Sequence, residues 1–526
     1  MKNIIIFLFS LCTLCSCSYM KHALIQSEYA RIQEADPGQV NLKHMIDREK
    51  YFVIGRTIDK DVRYTDTSLA VAAYSSKFKP HERVDTMYFS GAGTHFGLNL
   101  PEGNYQLLVF ADRDKNQIFD QTEVIGQKDI SLNQTTSPDK VLDRIEIQLS
   151  SPWRVEWIEA ISKPNLGEQQ QSLFYPTGSI RSLDDPLFSE NMATLGMYDP
   201  ASFLEKAPTM FFAMEEDLDF KIPVVFVHGV GGSIRAFEPI INQLDRKRYK
   251  PWFFYYPSGG DLDQLAEMFY RIFISGKVIH TSSMPMIIIA HSMGGLVVRE
   301  ALNRYENNPE ENKVVLLITI ATPFGGHPAA ASGEKHGLIV LPAWRDINPE
   351  NRFIKRLFRK QLPEMVEHQL LYAYDNPATL KISKNSDGVV PLSSQLRLEA
   401  QQQATGQLGF ESSHTGILEN EKMIAHILER MEHVKNFYPE THLEVLRNGG
   451  YDVKLSDDYS PLGQYVIHSL GRYWMAISNG TLKPFYPAQE DFLRVIRGED
   501  PPPNHGVIKD WLRFLKEHPD LGRPRS

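Results

Sequence analysis

A strand-like apolar run, Met286-Ile-Ile-Ile-Ala290, leads straight into His291-Ser292-Met293-Gly294-Gly295 and on into a helix-like pattern through Leu296, Val297, Ala301 and Leu302. A serine at such a junction can serve as a nucleophile. It sits at the tip of a sharp strand-to-helix turn, so the residues two before and two after it must be small. Here they are Ala290 and Gly294; the usual pattern has glycine at both, and Ala290 departs from it. The helix behind the serine brings free N–H groups and the positive end of its dipole to where negative charge would develop. An ordinary strand–glycine turn–helix junction shares this pattern, so the serine needs partners.

A second glycine-rich turn lies upstream, Val227-His228-Gly229-Val230-Gly231-Gly232-Ser233, after the apolar run Val224-Val-Phe. A tetrahedral acyl intermediate needs two N–H donors about 3 Å from its oxyanion. The residue after the nucleophile, Met293, offers one, and Val230 in this loop is the candidate for the other. A phosphate-cradling loop is the competing reading. It fails because no Gly-Lys-Ser/Thr ending and no full dinucleotide fingerprint is present. His228 is expected to shape the loop rather than move protons.

Four pieces occur in order: Val227-His-Gly-Val-Gly-Gly-Ser, Ala290-His-Ser-Met-Gly-Gly-Leu-Val-Val-Arg, Ile320-Ala-Thr-Pro-Phe-Gly-Gly and Ser386-Asp-Gly-Val-Val-Pro. Together they resemble α/β-hydrolases of the lipase type, in particular the group related to the GPI-inositol deacylase (PGAP1-like), over roughly residues 222–434. The resemblance implies an α/β-hydrolase fold, a doubly wound and mostly parallel sheet, and a serine hydrolase acting on ester bonds. In that fold the chain order is Ser, Asp or Glu, then His. Asp387, in a loop after the apolar run Gln369–Tyr374, is the acid that would orient the imidazole; Asp375 is the alternative. His414, in Glu411-Ser-Ser-His-Thr-Gly before an amphipathic helix, is the base. The resemblance implies no metal or organic cofactor for this chemistry.

These residues must be positioned by apolar strands that alternate with helices: Pro223–His228, Tyr249–Tyr256, Pro285–Ala290, Lys313–Ala321, Gln369–Tyr374 and Gln395–Glu399. That alternation predicts a parallel sheet with helices on both faces and a catalytic domain over 220–435. Within it, 324–367 is an insertion, read either as a lid that lines an acyl site and meets anionic lipid or as a solvated cap. Its basic stretch carries Arg352, Lys355, Arg356, Arg359 and Lys360. Upstream, short β-rich runs between 51 and 157 predict a β-sandwich domain. Residues 158–219 read as a connector, and 436–526 as a C-terminal helical module with Trp474, Phe492, Trp511 and Phe514 as core anchors.

The chain has 526 residues, enough for about three domains. Its net charge of −9 argues against a nucleic-acid surface. All three cysteines, Cys12, Cys15 and Cys17, fall in the first segment, which leaves no disulfide framework, no thiolate nucleophile and no cysteine metal site elsewhere. Lys2 followed by the apolar run Ile4–Leu14 has signal-peptide character. Leu14-Cys-Ser-Cys17 resembles a bacterial lipobox. It implies a signal peptide over 1–16, lipidation of Cys17, and a tether over 17–50 that holds the protein to a membrane. In resembling lipoproteins an Asp after the cysteine favours the inner membrane; Ser18 there points to the outer one.

Two further patterns stand apart. Asp112, Asp114, Asn116, Asp120 and Glu123 occupy positions 1, 3, 5, 9 and 12 of a calcium-loop pattern, with Gln117 where glycine is expected. A bound calcium and a polar hairpin turn are both open. The tail, around Tyr473-Trp-Met-Ala-Ile and Glu490-Asp-Phe-Leu-Arg, resembles a small domain of a macrodomain-organising protein family. It reads as an interaction or packing module, and either it or the sandwich could take a protein partner. The expected function is hydrolysis of acyl-ester or lipid substrates at a membrane. Acyl transfer by the same residues, or a non-catalytic envelope scaffold, are the alternatives.

Overall fold

β-branched and aromatic runs bounded by glycine, proline and asparagine build two sheets in the first third of the chain. The computed structural model describes residues 2–522 apart from 66, 94, 165–169, 171, 177, 282, 375–384 and 504–505, with side chains from Ser18 onward. A helix, α1 (Lys2–Ala35), precedes nine strands: β1 (Lys50–Ile58), β2 (Ser68–Ser75), β3 (Arg83–Ser90), β4 (His95–Pro101), β5 (Gly103–Asp112), β6 (Ile118–Phe119), β7 (Val124–Leu132), β8 (Val141–Gln148) and β9 (Ile161–Ser162). One sheet has the order β4-β1-β8 and the other β3-β2-β5-β7. Their inward residues, including Tyr51, Val53, Leu69, Val71, Leu107 and Val109, share one apolar cluster. The alternate residues of β1, Phe52 and Ile54, join a different cluster that contains Val225, Trp252 and Ile288. β1 is therefore buried on both faces, as its pattern of five successive buried residues records.

The stretch read as a connector contains α2 (Glu190–Tyr198), α3 (Pro200–Lys206) and β10 (Phe211–Ala213). Asp199 caps α3, accepting from the Ser202 amide, and Pro200 opens the helix. β10 pairs antiparallel with β12 (Tyr249–Phe254) and extends the main sheet. Three residues are too few to show periodicity, which is why this strand is silent in the sequence.

The main sheet is completed by β11 (Ile222–Val227), β13 (Pro285–His291), β14 (Lys313–Ile320), β15 (Glu367–Tyr374) and β16 (Gly406–Glu411), in the order β10-β12-β11-β13-β14-β15-β16. The pairs β11–β13, β13–β14, β14–β15 and β15–β16 are parallel. Around it lie α4 (Glu238–Ile241), α5 (Leu262–Phe269), α6 (Met293–Leu302), α7 (Pro328–His336), α8 (Pro342–Asp346), α9 (Arg352–Arg356), α10 (Leu392–Gln395), α11 (Leu398–Gln403) and α12 (Glu421–Glu432). The next strand in sequence after β11 lies on one side of it and β13 lies on the other. The sheet thus reverses direction of growth between β11 and β13, the place where open α/β sheets bind ligands at their carboxyl ends.

One predicted strand is corrected. Gln395–Glu399 is not a strand: Gln395 ends α10, Leu398 and Glu399 begin α11 with a turn between them, and the edge strand is Gly406–Glu411. Leu396 and Leu398 alternate with polar residues as they would in a strand, but Gln395 meets β15 through its side chain: it accepts from the Ala373 N–H and donates to the Ala373 carbonyl, each at 3.0 Å. The true edge strand buries only Phe410 fully and so lacks an apolar signature. Its glycines are required by contact, since a Cβ at Gly406 would lie 2.1 Å from the Gln369 side chain and one at Gly409 2.4 Å from the Tyr372 ring.

Residues 218–222, 246–248 and 435–526 form a second unit. Its helices are α13 (Glu440–Leu446), α14 (Pro461–Ser478), α15 (Pro487–Ile496) and α16 (Val507–Glu517). Trp511 and Phe514 stack with ring centres 5.2 Å apart, and Trp474 meets both Phe492 and Trp511 edge-on. The Trp511 indole N–H is satisfied by the Ser478 hydroxyl at 3.0 Å.

Four of the basic residues after α8 are held in ion pairs, while Arg352, Lys355 and Arg359 remain exposed. Arg359 makes a two-pronged pair with Glu300 of α6 at 2.6 and 2.9 Å, and Lys360 pairs with Glu306 at 2.6 Å. Arg356 bonds Asp263, and Lys355 pairs with Glu350. Glu300 is fully buried and also meets Arg304 at 3.1 Å. Burial alone would raise its carboxyl; bonds from Arg359, Arg304 and Asn303 overcome this and hold it below the usual range. Removing one partner of a buried pair strands the other charge. Glu300→Ala is therefore expected to lower unfolding stability by about 3–5 kcal/mol in a denaturant titration. An unchanged midpoint would show that these arginines are solvated without it.

Candidate active site

Ser292 sits between β13 and α6 with φ 53° and ψ −130°, a conformation L-residues rarely adopt. The backbone around it explains the small residues of the sequence pattern. A Cβ at Gly294 would stand 2.5 Å from the carbonyl oxygens of both Val227 and His228, and one at Gly295 2.0 Å from the Thr322 hydroxyl. A Cβ at Gly229 would stand 2.8 Å from the Ser292 Cβ. The Ser292 N–H donates to the Ile320 carbonyl at 2.8 Å, tying the turn to β14.

Three residues far apart in sequence meet here. His414 Nε2 lies 2.8 Å from Ser292 Oγ, and its Nδ1 lies 2.6 Å from Asp387 Oδ2. Asp387 follows β15, His414 follows β16, and Ser292 follows β13, so all three stand at the carboxyl ends of parallel strands. Asp387 is itself held. Its Oδ1 accepts from the Val389 and Val390 amides at 2.9 and 2.7 Å, and its Oδ2 from Gln395 at 3.1 Å. Its carbonyl accepts from the His414 N–H at 3.0 Å, so backbone and side chain both lock the pair. Asp375, the alternative acid, lies outside the described residues.

Two supporting residues have no signature in the sequence. Gln395 serves β15 and Asp387 together. His291 Nε2 donates to the His414 carbonyl at 2.8 Å, with the two rings 4.9 Å apart. Burial, and then the neighbouring His414, push His291 down to about 3, so it is a neutral donor. Position alone marks it, directly before the nucleophile.

His228 is buried at the base of the glycine loop. Its Nδ1 donates to the Gly229 carbonyl at 2.8 Å and its Nε2 accepts from the Tyr256 N–H at 3.3 Å, which defines one neutral tautomer. The Tyr256 hydroxyl donates to the His228 carbonyl at 2.6 Å. Burial lowers His228 to about 4. This histidine shapes the loop, as its surroundings in the sequence imply. Beyond it, the Gly231 N–H is taken by Ser258 Oγ at 2.9 Å and the Gly232 N–H by the Gly229 carbonyl. The N–H groups of Val230 and Met293 donate to none of the described residues. Met293 is the first residue of α6, where helix N–H groups lack internal partners.

The calcium-loop residues gather only in part. Carboxylate oxygens of Asp112, Asp114 and Glu123 lie within 4.8 Å of one another. Asp120 instead accepts from the Thr122 amide and hydroxyl at 2.7 Å, and Asn116 Oδ1 accepts from the Ile118 amide. The backbone amides of Arg113, Asn116, Gln117 and Asp120 already donate to the gathered carboxylates. Gln117 takes φ 63° where the pattern expects glycine.

The buried histidines set an acid limit on stability. His228 stands at about 4, and His291 and His368 at about 3, each lowered by burial from 6.5. Above pH 6.5 all are neutral in both states. Below it the unfolded chain takes up protons that the folded chain refuses, so stability falls as pH drops. Each contributes up to about 1.4 kcal/mol per pH unit between 6.5 and its folded value. The melting temperature is expected to fall steadily from pH 6.5 to 4, less steeply in His291→Gln. A slope identical in that variant would contradict burial as the cause.

No curated protein matches the chain in sequence. The family model described as lecithin:cholesterol acyltransferase matches residues 271–384, a segment that holds Ser292 and stops short of Asp387 and His414. Among solved structures, the mature lipase BlEst2 of Bacillus licheniformis is 20% identical over 42% of this chain and 97% of its own, with a TM-score of 0.32. Lipase B of Aspergillus fumigatus is 17% identical over 46% and 60%, with a TM-score of 0.34. The lin2722 product of Listeria innocua is 17% identical over 41% and 95%, with a TM-score of 0.31. The chain's own strand order and its strand–serine–helix turn make the main sheet a mostly parallel α/β sheet with the serine at its carboxyl end, and the family match falls on the part of it that holds this turn.

Proposed function

We propose that this protein is a serine carboxylic-ester hydrolase, of esterase, lipase or phospholipase type. The observation that carries the reading is the unbroken relay Ser292 Oγ–His414–Asp387, with contacts of 2.8 and 2.6 Å. His414 takes the serine proton as Oγ attacks the acyl carbonyl, and Asp387 stabilises the imidazolium. The Val230 and Met293 amides hold the oxyanion. His414 then protonates the leaving alcohol, and water, activated by the same imidazole, releases the acid. The lecithin:cholesterol acyltransferase match supports a lipid acyl ester as substrate and keeps acyl transfer to a second alcohol as an alternative outcome.

The membrane part of the reading rests on the lipobox-like Leu14–Cys17 and an outer-membrane address from Ser18. It is supported by Tyr19, two residues on. The Tyr19 hydroxyl donates to the Ile339 carbonyl at 3.2 Å and accepts from the Ile339 N–H at 3.1 Å, and its ring stacks 6.1 Å from Trp344. A chain lipidated at Cys17 would thus bring the 324–367 insertion close to the bilayer.

A fluorophosphonate probe is expected to label the wild type and not Ser292→Ala. With p-nitrophenyl esters and phospholipid vesicles, His414→Ala and Asp387→Asn are each expected to lose about ten-thousand-fold in kcat with the fold retained. Full turnover in His414→Ala would remove the base assignment. Folded protein that takes no label would favour a scaffold. For the Asp112–Glu123 loop the reading is a polar hairpin closed by its own amides. Added calcium is expected to leave the melting temperature unchanged, and a rise that Asp112→Asn abolishes would reinstate the ion.

A further inference from the structure

A cavity of about 210 Å³ lies where the N-terminal segment, β1, β4, α3, α5 and α8 meet, and Ser292, Asp387 and His414 do not line it. One wall is apolar: Phe52, Leu204, Met210, Leu265 and Met268. The lining also carries charge. The three carboxylates that line it are already matched: Asp47 pairs with Arg345 at 2.5 Å, and Asp261 and Glu49 with Lys140 at 3.0 and 3.6 Å. Two lining cations, Arg48 and Lys50, have no carboxylate within 4.0 Å among the described residues, and Asp199 and Asp47 act on Lys50 only from farther off. Arg48 donates to the Gln33 side chain and the Gln39 carbonyl, and the Lys50 ammonium has no hydrogen-bond partner.

Asn99 adds an independent observation. It lines the same cavity, is 6% exposed, and its side-chain Nδ2 is buried without a partner. A buried donor left unpaired costs roughly 1–3 kcal/mol, and native structures seldom retain one without a use. The unpaired Lys50 ammonium calls for a negatively charged acceptor, and the Asn99 amide nitrogen, which has almost no accessible surface, would reach that acceptor through a small turn of its side chain. Burial also lowers Lys50 to about 8, a penalty that an anion beside it would offset.

We propose that this cavity is a binding site for a monocarboxylate with a short alkyl tail, separate from the serine site. The carboxylate accepts from Lys50 and Asn99, and the tail lies along the apolar wall. A single charge fits better than a phosphate dianion, because Asp47, Glu49 and Asp261 stand around the same space and would repel a second one. The inference deepens the proposed ester hydrolysis, which converts ester and water into an alcohol and a carboxylic acid that ionises at neutral pH. The cavity would hold that class of product and rests on that reading only for the source of the ligand.

The test measures binding rather than turnover. Octanoate is titrated by calorimetry into the full chain carrying Ser292→Ala, and into the same chain with Lys50→Met, Lys50→Arg or Asn99→Ala added. Octan-1-ol and inorganic phosphate are run as controls. One equivalent of octanoate is expected to bind, at least tenfold more weakly with Lys50→Met and severalfold more weakly with Asn99→Ala, while Lys50→Arg retains binding. Both controls should bind at least tenfold more weakly than octanoate. Equal affinity in the Lys50→Met chain, with its melting temperature unchanged, would overturn the site. Phosphate binding as tightly as octanoate would overturn the ligand class, and absence of octanoate binding would overturn the proposal. If esters are not hydrolysed by the wild type yet octanoate binds in this pattern, the carboxylate site stands and the hydrolase reading alone fails.

Discussion

The left-handed backbone at Ser292 constrains everything around it. A φ of 53° at a residue with a side chain is retained only where neighbouring structure leaves no alternative. Here that structure is a close approach of three chain segments. β11 delivers the carbonyls of Val227 and His228 against Gly294, the loop after β11 presses Gly229 against the serine, and Thr322 fills the space beside Gly295. The hydrogen bond from the Ser292 amide to Ile320 completes the clamp from β14. The serine stands at the carboxyl end of a deeply buried strand of the sheet, with all seven residues of β13 inaccessible.

From that point the parallel ladder does the positioning. Strands β13, β15 and β16 end on the same side of the sheet, so the loops that follow them bring Ser292, Asp387 and His414 to one place. The acid is not a free carboxylate on a loop. Two backbone amides and Gln395 fix it, and Gln395 is fixed in turn by the end of β15. Such outer partners decide whether a relay is rigid or merely present. His291 gives the base the same support from the opposite side by binding its carbonyl.

Charge is organised by a parallel logic. Glu300 and Glu267, both buried, draw in Arg304, with Arg359 bound to the first and Arg271 to the second. These pairs join α6 to the segment after α9 through Arg359, and the residues just after α6 to α5 through Arg304. Arg299, almost fully buried, lies over the Phe358 ring and donates to Asn303 and Gln403. In the cationic stretch after α8, Arg359 is bound to the buried Glu300, while Lys355 and Lys360 pair with acids at the surface. The cavity beside Lys50 is the contrasting case, where a lysine and an amide keep their donors free.

The sequence by itself determined the features that depend on consecutive residues. The small residues flanking Ser292 and the glycine loop after β11 could be picked out because a tight turn and a close backbone approach dictate the residue types on the spot, whereas Asp387 and His414 were legible only through the chain order that the resemblance implies. The alternating strands were legible for the same reason, since a strand buried on both faces must be apolar throughout. Tertiary structure alone decided the rest. Gln395 lies in a strand-like pattern yet ends a helix, β16 shows no apolar pattern because it lies at an edge, and β10 is too short to show any. The partners of Arg356, Arg359 and Lys360, the role of His291, and the meeting of Lys50 with Asn99 join residues from tens to hundreds of positions apart. No local pattern records such pairings, because burial and hydrogen bonding are settled by which segments meet, and that is a property of the folded chain.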